Sequence, residues 1–371
     1  MKIGIDARMY GPSVGGGGLG RYVEQLVSEL AKKETEHRYL LFLKKENLDV
    51  APAQFEKRLT DIHWYTWQEQ RKMPTLIDRE GLDLVHFPHW NVPLRLKTPF
   101  VVTIHDLILI EQPLSAKATT RHPLTYQLKH RAFRLALRHA LTKSRAIVAV
   151  SNYTRDAILR HFPEVPAEKV HVVYEGLTKL PTPPEEATLP IVPTPYFLYI
   201  GNAYPHKNLE ALLHAFSFFH KRYPFVQLVL AGRDDLFYER LRKEPHEIDV
   251  PENKVTFLMN PTDDQIASLY KQASLYLFPS LSEGFGLPPL EAMSFGTPVA
   301  AANTSSLPEI LGDAAIYFPP DDIERMVEVM IQVVENEALR QTLVQKGYEK
   351  IKRYSWSDMA TQIQAIYASC V

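Results

Sequence analysis

The sequence predicts an α/β protein built from two doubly wound units, each a parallel sheet with helices on its faces. Short apolar runs alternate with segments of helical periodicity along the whole chain. Those runs are continuous rather than alternating, as expected for parallel strands buried on both faces. A proline-rich stretch divides the 371 residues almost in half, and at roughly 100–200 residues per domain that length favours two domains.

In the first half, strands are expected at Lys2–Ala7, Tyr39–Lys44, Leu84–Phe87, Phe100–His105, Ala146–Ser151 and Lys169–Val173, with a helix over Leu19–Lys32. In the second half they fall at Tyr196–Gly201, Gln227–Ala231, Lys254–Leu258, Leu275–Phe278, Pro298–Ala301 and Ala315–Phe318. Helices over Asn208–Tyr223, Asp264–Gln272 and Asp322–Asn336 separate these strands. Six prolines lie between Pro181 and Pro195. Each removes a backbone donor and restricts the residue before it, so the stretch reads as an extended linker. The expected domains are therefore 1–180 and 196–354, joined by the linker 181–195, with a final helix in 355–371. In sheets of this kind ligands bind beyond the carboxyl ends of the strands, so two units would face a central cleft.

Lys and Arg total 42 against 43 Asp and Glu, a net charge of −1. That balance excludes a wholly basic nucleic-acid binder, leaving room for a local basic patch. The one cysteine, Cys370, excludes a disulfide framework and a Cys-based zinc site. It points to a reducing, cytoplasmic setting. The chain starts on a strand-like Met1-Lys2-Ile3-Gly4-Ile5-Asp6, so no signal peptide is expected. No apolar run reaches the length of about 18 residues that a membrane span needs.

Glycine is scarce, yet six of the 16 lie between Gly11 and Gly20. Gly15-Gly-Gly-Gly-Leu-Gly20 formally fits the dinucleotide pattern Gly-x-Gly-x-x-Gly, but that fingerprint needs its first glycine at the strand-to-helix turn. Here the strand ends near Ala7, which argues against a dehydrogenase. The better reading is a loop whose amides, at Gly17 and Gly18, approach a phosphate at a helix start.

The most informative stretch is Phe278-Pro-Ser-Leu-Ser-Glu283-Gly-Phe-Gly-Leu-Pro-Pro-Leu-Glu291-Ala-Met-Ser-Phe-Gly296. A strand ends at Phe278, and Glu283 precedes the Gly284-Phe285-Gly286 turn. Pro288 and Pro289 suit a first helical turn, and Gly296 suits its stop. Glu291 is then expected in that first turn. Amides of Gly286 and Leu287 at a helix N-terminus form an anion site able to take a diphosphate. Glu291 is placed for the hydroxyls of a ribose, and Glu283 for those of a sugar on the diphosphate.

Glu283 and Glu291, seven residues apart, resemble the E-x7-E motif of retaining GT-B glycosyltransferases, and the whole stretch resembles that of glycosyltransferase family 4. Gly15–Arg21 is similar to the family's glycine loop, Thr103-Ile-His105-Asp106-Leu to its His-Asp element, and Val150-Ser-Asn-Tyr-Thr154 to the element closing the first domain. Tyr199-Ile-Gly201-Asn-Ala-Tyr-Pro-His-Lys207-Asn208-Leu resembles the opening of the donor domain. The ordered set covers nearly the whole chain. It implies a GT-B fold of two Rossmann-like domains, the first for the acceptor and the second for a nucleotide sugar. It also implies a final helix that crosses back to the first domain.

By this resemblance His105 contacts the donor sugar, and Lys207 pairs with the diphosphate as a point charge. Gly201, Asn202, Arg233 and Phe285 join the donor-binding set. Asn202 stands where relatives often carry arginine, with Arg233 as a substitute. Glu175, where an Asn-Gly pair is common, receives no role. His86, His89 and Asp106 are expected on the acceptor side; His86 and His89 lack a third ligand for zinc. No Asp-x-Asp triplet occurs, so metal-independent transfer is expected, with no required cofactor.

From Gln112 to Arg155 there is no acidic residue, while Lys117, Arg121, Lys129, Arg131, Arg134, Arg138, Lys143, Arg145 and Arg155 recur. Interleaved with Leu128, Phe133, Leu135, Ala136 and Leu141, they resemble a basic amphipathic helix suited to an anionic membrane surface. The segment has few aromatics for stacking nucleic-acid bases. The expected protein is a retaining transferase, peripheral on the cytoplasmic membrane, with GDP-mannose as donor and a glycan or lipid-linked acceptor. UDP-glucose, UDP-N-acetylglucosamine or rhamnose donors and a nucleotide-sugar epimerase remain alternatives.

Overall fold

The computed structural model describes residues 1–11, 17–113, 123–178, 180–181, 192–243 and 250–370. Gly15, Gly16, Lys117, Arg121 and most of the proline-rich stretch lie outside these residues.

The chain forms two compact units. The first gathers the described residues of Met1–Leu107, Thr120–Gly176 and Tyr354–Val371. Its strands are β1 (Lys2–Asp6), β2 (Arg38–Leu43), β3 (Glu56–Leu59), β4 (Leu84–Phe87), β5 (Phe100–Ile104), β6 (Ala146–Ala149) and β7 (Val170–Val172). They form one parallel sheet in the order β3-β2-β1-β4-β5-β6-β7. The second unit gathers the described residues of Ile108–Thr119 and Leu177–Arg353. It holds β8 (Tyr196–Ile200), β9 (Gln227–Gly232), β10 (Val255–Met259), β11 (Leu275–Phe278), β12 (Val299–Ala302) and β13 (Ala315–Phe318). These are also parallel, in the order β10-β9-β8-β11-β12-β13.

In each sheet the strand order reverses once, between β1 and β4 and between β8 and β11. Connections leave in opposite directions at such a switch point, opening a crevice at the carboxyl ends of the strands. The Lys207–Glu283 pair described below lies in the loops after β8 and β11, at the second of these points.

The apolar runs became strands because they are buried from both sides: every residue of β4, β5, β6, β8, β11 and β12 is buried. One strand was missed. Glu56-Lys-Arg-Leu59 has no apolar run and lies at the edge of the first sheet, where charged side chains discourage pairing with another chain.

The helix Trp356–Ser369 belongs to the first unit although it ends the chain. It buries Trp356, Met359, Ala360, Ile363, Ile366 and Tyr367 in a core with Tyr22, Val23, Leu26, Val27 and Leu30 of the helix Gly17–Ala31. Its larger apolar side chains each contribute roughly 1.5–3 kcal/mol. A polar chain reinforces the contact: the Tyr367 hydroxyl meets His86 Nδ1 at 2.6 Å, His86 Nε2 meets Thr103 Oγ1 at 2.8 Å, and Thr103 meets the Tyr22 hydroxyl at 3.1 Å.

Candidate active site

In the second unit the loop after β8 carries Lys207 at the end of a short 3-10 turn, Pro205–Lys207. Asn208 follows in the left-handed conformation (φ 60°) and caps the helix Leu209–Arg222. Its side-chain amide donates to the Pro279 and Pro320 carbonyls, at 3.3 and 2.7 Å. The Leu281 amide donates to the His206 carbonyl at 2.7 Å. These bonds tie the loop after β8 to the loop after β11, across the switch point. Lys207 Nζ thereby donates to Glu283 Oε1 at 2.5 Å, with side chains only 13% and 11% exposed. The ammonium also sits over the Phe278 ring, 5.6 Å from its centre.

The turn after Glu283 is held from behind. The Glu283 amide donates to Ser305 Oγ, and Ser306 Oγ donates to the Glu283 and Phe285 carbonyls. Gly286 takes φ 99°, which favours glycine, and a Cβ there would meet Leu307 Cδ2 at 2.9 Å. It caps the helix Leu287–Ser294, whose opening prolines sit where a missing amide costs nothing. Two expectations change here. Glu291 lies in the second turn of this helix, buried, accepting a hydrogen bond from the Tyr270 hydroxyl at 3.2 Å. The Phe285 side chain packs in the core, 4% exposed, so the turn offers a ligand its backbone rather than that ring.

Register places Gly201 and Gly232 side by side after Ile200 and Ala231. A Cβ on Gly232 would come within 2.1 Å of the Gly201 carbonyl, so only glycine permits this approach. Asn202 and Arg233 follow these glycines on adjacent strands, with Arg233 exposed.

In the first unit His105 follows β5. Its Nδ1 is 2.9 Å from Glu175 Oε1 and its Nε2 is 2.9 Å from the Pro88 carbonyl. An acceptor at each nitrogen favours the doubly protonated ring. Burial disfavours that charge, but the hydrogen bond and charge of Glu175, the Pro88 carbonyl and Asp106 outweigh it, so the pKa is raised. The Tyr22 ring packs edge-on at 4.6 Å. Thr154 Oγ1 donates to the His105 carbonyl, and its amide donates to Ser151, the N-cap of the helix Asn152–His161. The Val-Ser-x-x-Thr element is thus a helix cap that also braces His105. Glu175, assigned no role from the sequence, orients this ring; its signal was only that it stands where the resembled family commonly has an Asn-Gly pair.

His86 does not belong on the acceptor side. It is fully enclosed and spends both nitrogens on Tyr367 and Thr103; burial, followed by the nearby charge of His105, lowers its pKa to about 3. His89 is half-buried and bonds the Tyr65 hydroxyl at 3.0 Å and Asn91 at 3.2 Å. No set of three or more His, Cys, Asp or Glu among the described residues is placed to hold a metal ion. Gly17 and Gly18 are exposed at the start of the helix Gly17–Ala31.

Sequence reasoning also missed a buried charge network at the end of β1. Arg8, 1% exposed, donates through Nε and Nη2 to the two Asp6 oxygens at 2.7 and 2.6 Å. It reaches Glu69 Oε1 at 2.6 Å and the Ile62 carbonyl at 3.0 Å. Asn91 donates to the same Glu69 oxygen at 2.7 Å. Asp6 closing the strand Lys2–Asp6, with Arg8 two residues on, was the available signal.

Residues 16–178 match the family model described as Glycosyltransferase Family 4, and residues 185–350 match that of Glycosyl transferases group 1. The O-antigen chain mannosyltransferase B of Escherichia coli is 29% identical over 375 aligned residues, covering 93% of this chain and 94% of that protein. Sucrose-phosphate synthase from Thermosynechococcus elongatus superposes with a TM-score of 0.77 at 21% identity, over 100% of this chain and 98% of its own. The Anabaena protein HepE, in complex with UDP and glucose, gives a TM-score of 0.75 at 17% identity over 100% of both chains. At such identities the structural likeness establishes the fold and leaves function to the site.

Proposed function

Because the chain belongs to the family 4, group 1 glycosyltransferases and has their GT-B fold, we propose that it is a retaining hexosyltransferase using GDP-mannose. A glycan or lipid-linked glycan is its acceptor. The observation that carries the site assignment is the buried Lys207–Glu283 pair at the switch point between β8 and β11. The name of the 29% identical relative supports mannose and an O-antigen-like acceptor.

In this reading the diphosphate draws Lys207 away from Glu283. The amides of Gly286 and Leu287 stabilise its other charges, and Arg233 supplies the cation that Asn202 lacks. Glu291, held by Tyr270, takes the ribose hydroxyls, and Glu283, freed from the lysine, takes those of the sugar. His105 is the substrate-contacting group of the first unit. The acceptor hydroxyl attacks from the side the diphosphate leaves, and a phosphate oxygen takes its proton. The protein supplies position and charge stabilisation.

No described helix is long and apolar enough to cross a membrane. The helix Pro123–Lys143 buries Leu137, Ala140 and Leu141 and turns outward Leu128 (70% exposed), Leu135 (59%), Lys129, Arg131, Arg134 and Arg138. That mixture supports contact with anionic lipid, read by salt-sensitive flotation with anionic liposomes.

The test is a screen of nucleotide sugars for donor turnover, followed by variants. Glu283→Ala and Lys207→Ala should each slow transfer at least ~100-fold, as for lost transition-state donors. Near-normal turnover by either variant removes the assignment. Activity should survive EDTA, and loss restored only by Mg²⁺ counts against the amide-and-lysine account. Donor converted with no glycoside formed would instead mark an epimerase.

A further inference from the structure

The first unit carries an aromatic surface that the site described above does not use. Tyr65 lies in the loop before the helix Trp67–Asp78, 52% exposed, and its ring stacks on Trp90 at 5.0 Å and 24°. Trp90 is backed edge-on by Phe133 at 4.8 Å and flanked by His89 at 5.0 Å. The Tyr65 hydroxyl is anchored to His89 Nδ1 at 3.0 Å, so the ring has a fixed orientation.

Its backbone is fixed as well. Tyr65 has φ 61°, a left-handed conformation that is costly for a bulky residue. Its amide donates to Glu69 Oε2 at 2.8 Å, and Glu69 is clamped by Arg8 and Asn91. A buried charge network thus holds a strained, half-exposed aromatic in place. Packing alone does not require this, since the residue is 52% exposed.

Its place in the fold is the third observation. Arg8 follows β1, while His89 and Trp90 follow β4, the two strands that flank the switch point of the first sheet. Small-molecule ligands of open α/β sheets bind at that point.

We propose that the outer face of Tyr65, backed by Trp90, is the platform on which the terminal pyranose of the acceptor stacks. The C–H bonds on one face of a pyranose carry partial positive charge and meet the negative face of the aromatic ring. The ring's hydroxyl groups stay at the edge, within reach of polar groups. Arg8, Glu69 and Asn91 are positioning residues for this surface. The proposal rests on the reading that the acceptor is a glycan, and it is independent of which nucleotide sugar is the donor.

The experiment is ligand-observed saturation-transfer NMR on the full chain. The saccharide probes are methyl α-D-mannopyranoside, methyl α-D-glucopyranoside, methyl N-acetyl-β-D-glucosaminide and an α-linked mannobiose, with GDP and UDP titrated separately. At least one saccharide should bind the wild type, with saturation concentrated on one face of the ring. Tyr65→Gly and Tyr65→Ala should weaken it at least about tenfold, the loss of one stacked contact. Tyr65→Phe should stay within about threefold, since the stacking face remains. Tyr65→Gly relieves the backbone conformation, so a wild-type melting profile separates lost binding from lost folding. Nucleotide affinity should be unchanged in all three variants. The proposal is overturned if no saccharide binds the wild type, or if a folded Tyr65→Gly protein binds it as tightly as the wild type does. Failure of the donor assignment would show separately, as absent nucleotide binding, and the saccharide result stands either way.

Discussion

Arg8→Met is the perturbation whose outcome follows most directly from the geometry. The guanidinium is 1% exposed and bonded to both Asp6 oxygens, to Glu69 and to the Ile62 carbonyl. Methionine fills most of the volume but leaves two carboxylates, 7% and 1% exposed, with no counter-charge. Breaking a buried ion pair from one side costs about 3–5 kcal/mol, because the desolvation of the partner remains while its attraction is gone. For a unit of this size that corresponds to a fall in Tm of roughly 6–20 °C.

The assay is intrinsic fluorescence during unfolding. All four tryptophans, Trp64, Trp67, Trp90 and Trp356, lie in the first unit, so the signal reports that unit alone. The pH dependence gives a second readout. Burial already raises the Glu69 pKa, with Arg8 opposing it. Without Arg8 it rises further, so the folded variant keeps a proton that the unfolded chain releases. A raised carboxyl pKa lowers stability as pH climbs through and above the unfolded value, so the deficit should be larger at pH 8 than at pH 5.5. Replacing Asp6 and Glu69 with leucine as well should recover most of the loss. A deficit below about 1 kcal/mol, or one that does not change with pH, would refute the reasoning.

Glu175→Gln removes the main one of the groups that together outweigh burial at His105, so the His105 pKa should fall, as read from its ring nitrogen shifts by NMR. Because the wild-type value is raised, that pair stabilises the fold below the unfolded histidine pKa. The contribution fades as pH rises through the folded value, and the variant should lack it. A ring that titrates identically in the variant would contradict this assignment. His86 behaves in the opposite sense. With its pKa at about 3, the unfolded chain takes up a proton near pH 6.5 that the folded chain refuses. His86 should thus cost about 1.4 kcal/mol of stability per pH unit on acidification below 6.5. His86→Gln should reduce the measured proton uptake on unfolding at pH 5 by about one. Tyr367→Phe, which strands a ring nitrogen in an enclosed site, should cost about 1–3 kcal/mol by urea denaturation.

Twelve of the strands were legible because burial on both faces writes itself as an uninterrupted apolar run, and their observed limits differ from the expected ones by a residue or two. The charged edge strand Glu56–Leu59 lacked that signature, being wetted along one side. The Gly286 turn and the Lys207 loop were legible for a different reason: glycine and proline have few conformational uses, so their spacing betrays a cap and a turn. Glu291 was misplaced by one turn because the helix begins at Leu287, whereas its prolines permit several starting points.

What the sequence determined alone is local: strand runs, caps, the glycine–proline turn at Gly286, and the resemblance that their order carries. What only the tertiary structure decided is pairing. His86 looks like a strand-end ligand until Tyr367, 281 residues away, closes over it. Glu175 gains a role only when its carboxylate meets His105 after β5, and Arg8 only when a distant helix brings Glu69 to it. A buried charge or imidazole takes its protonation state and its task from partners that meet it in space, and linear spacing does not record those partners.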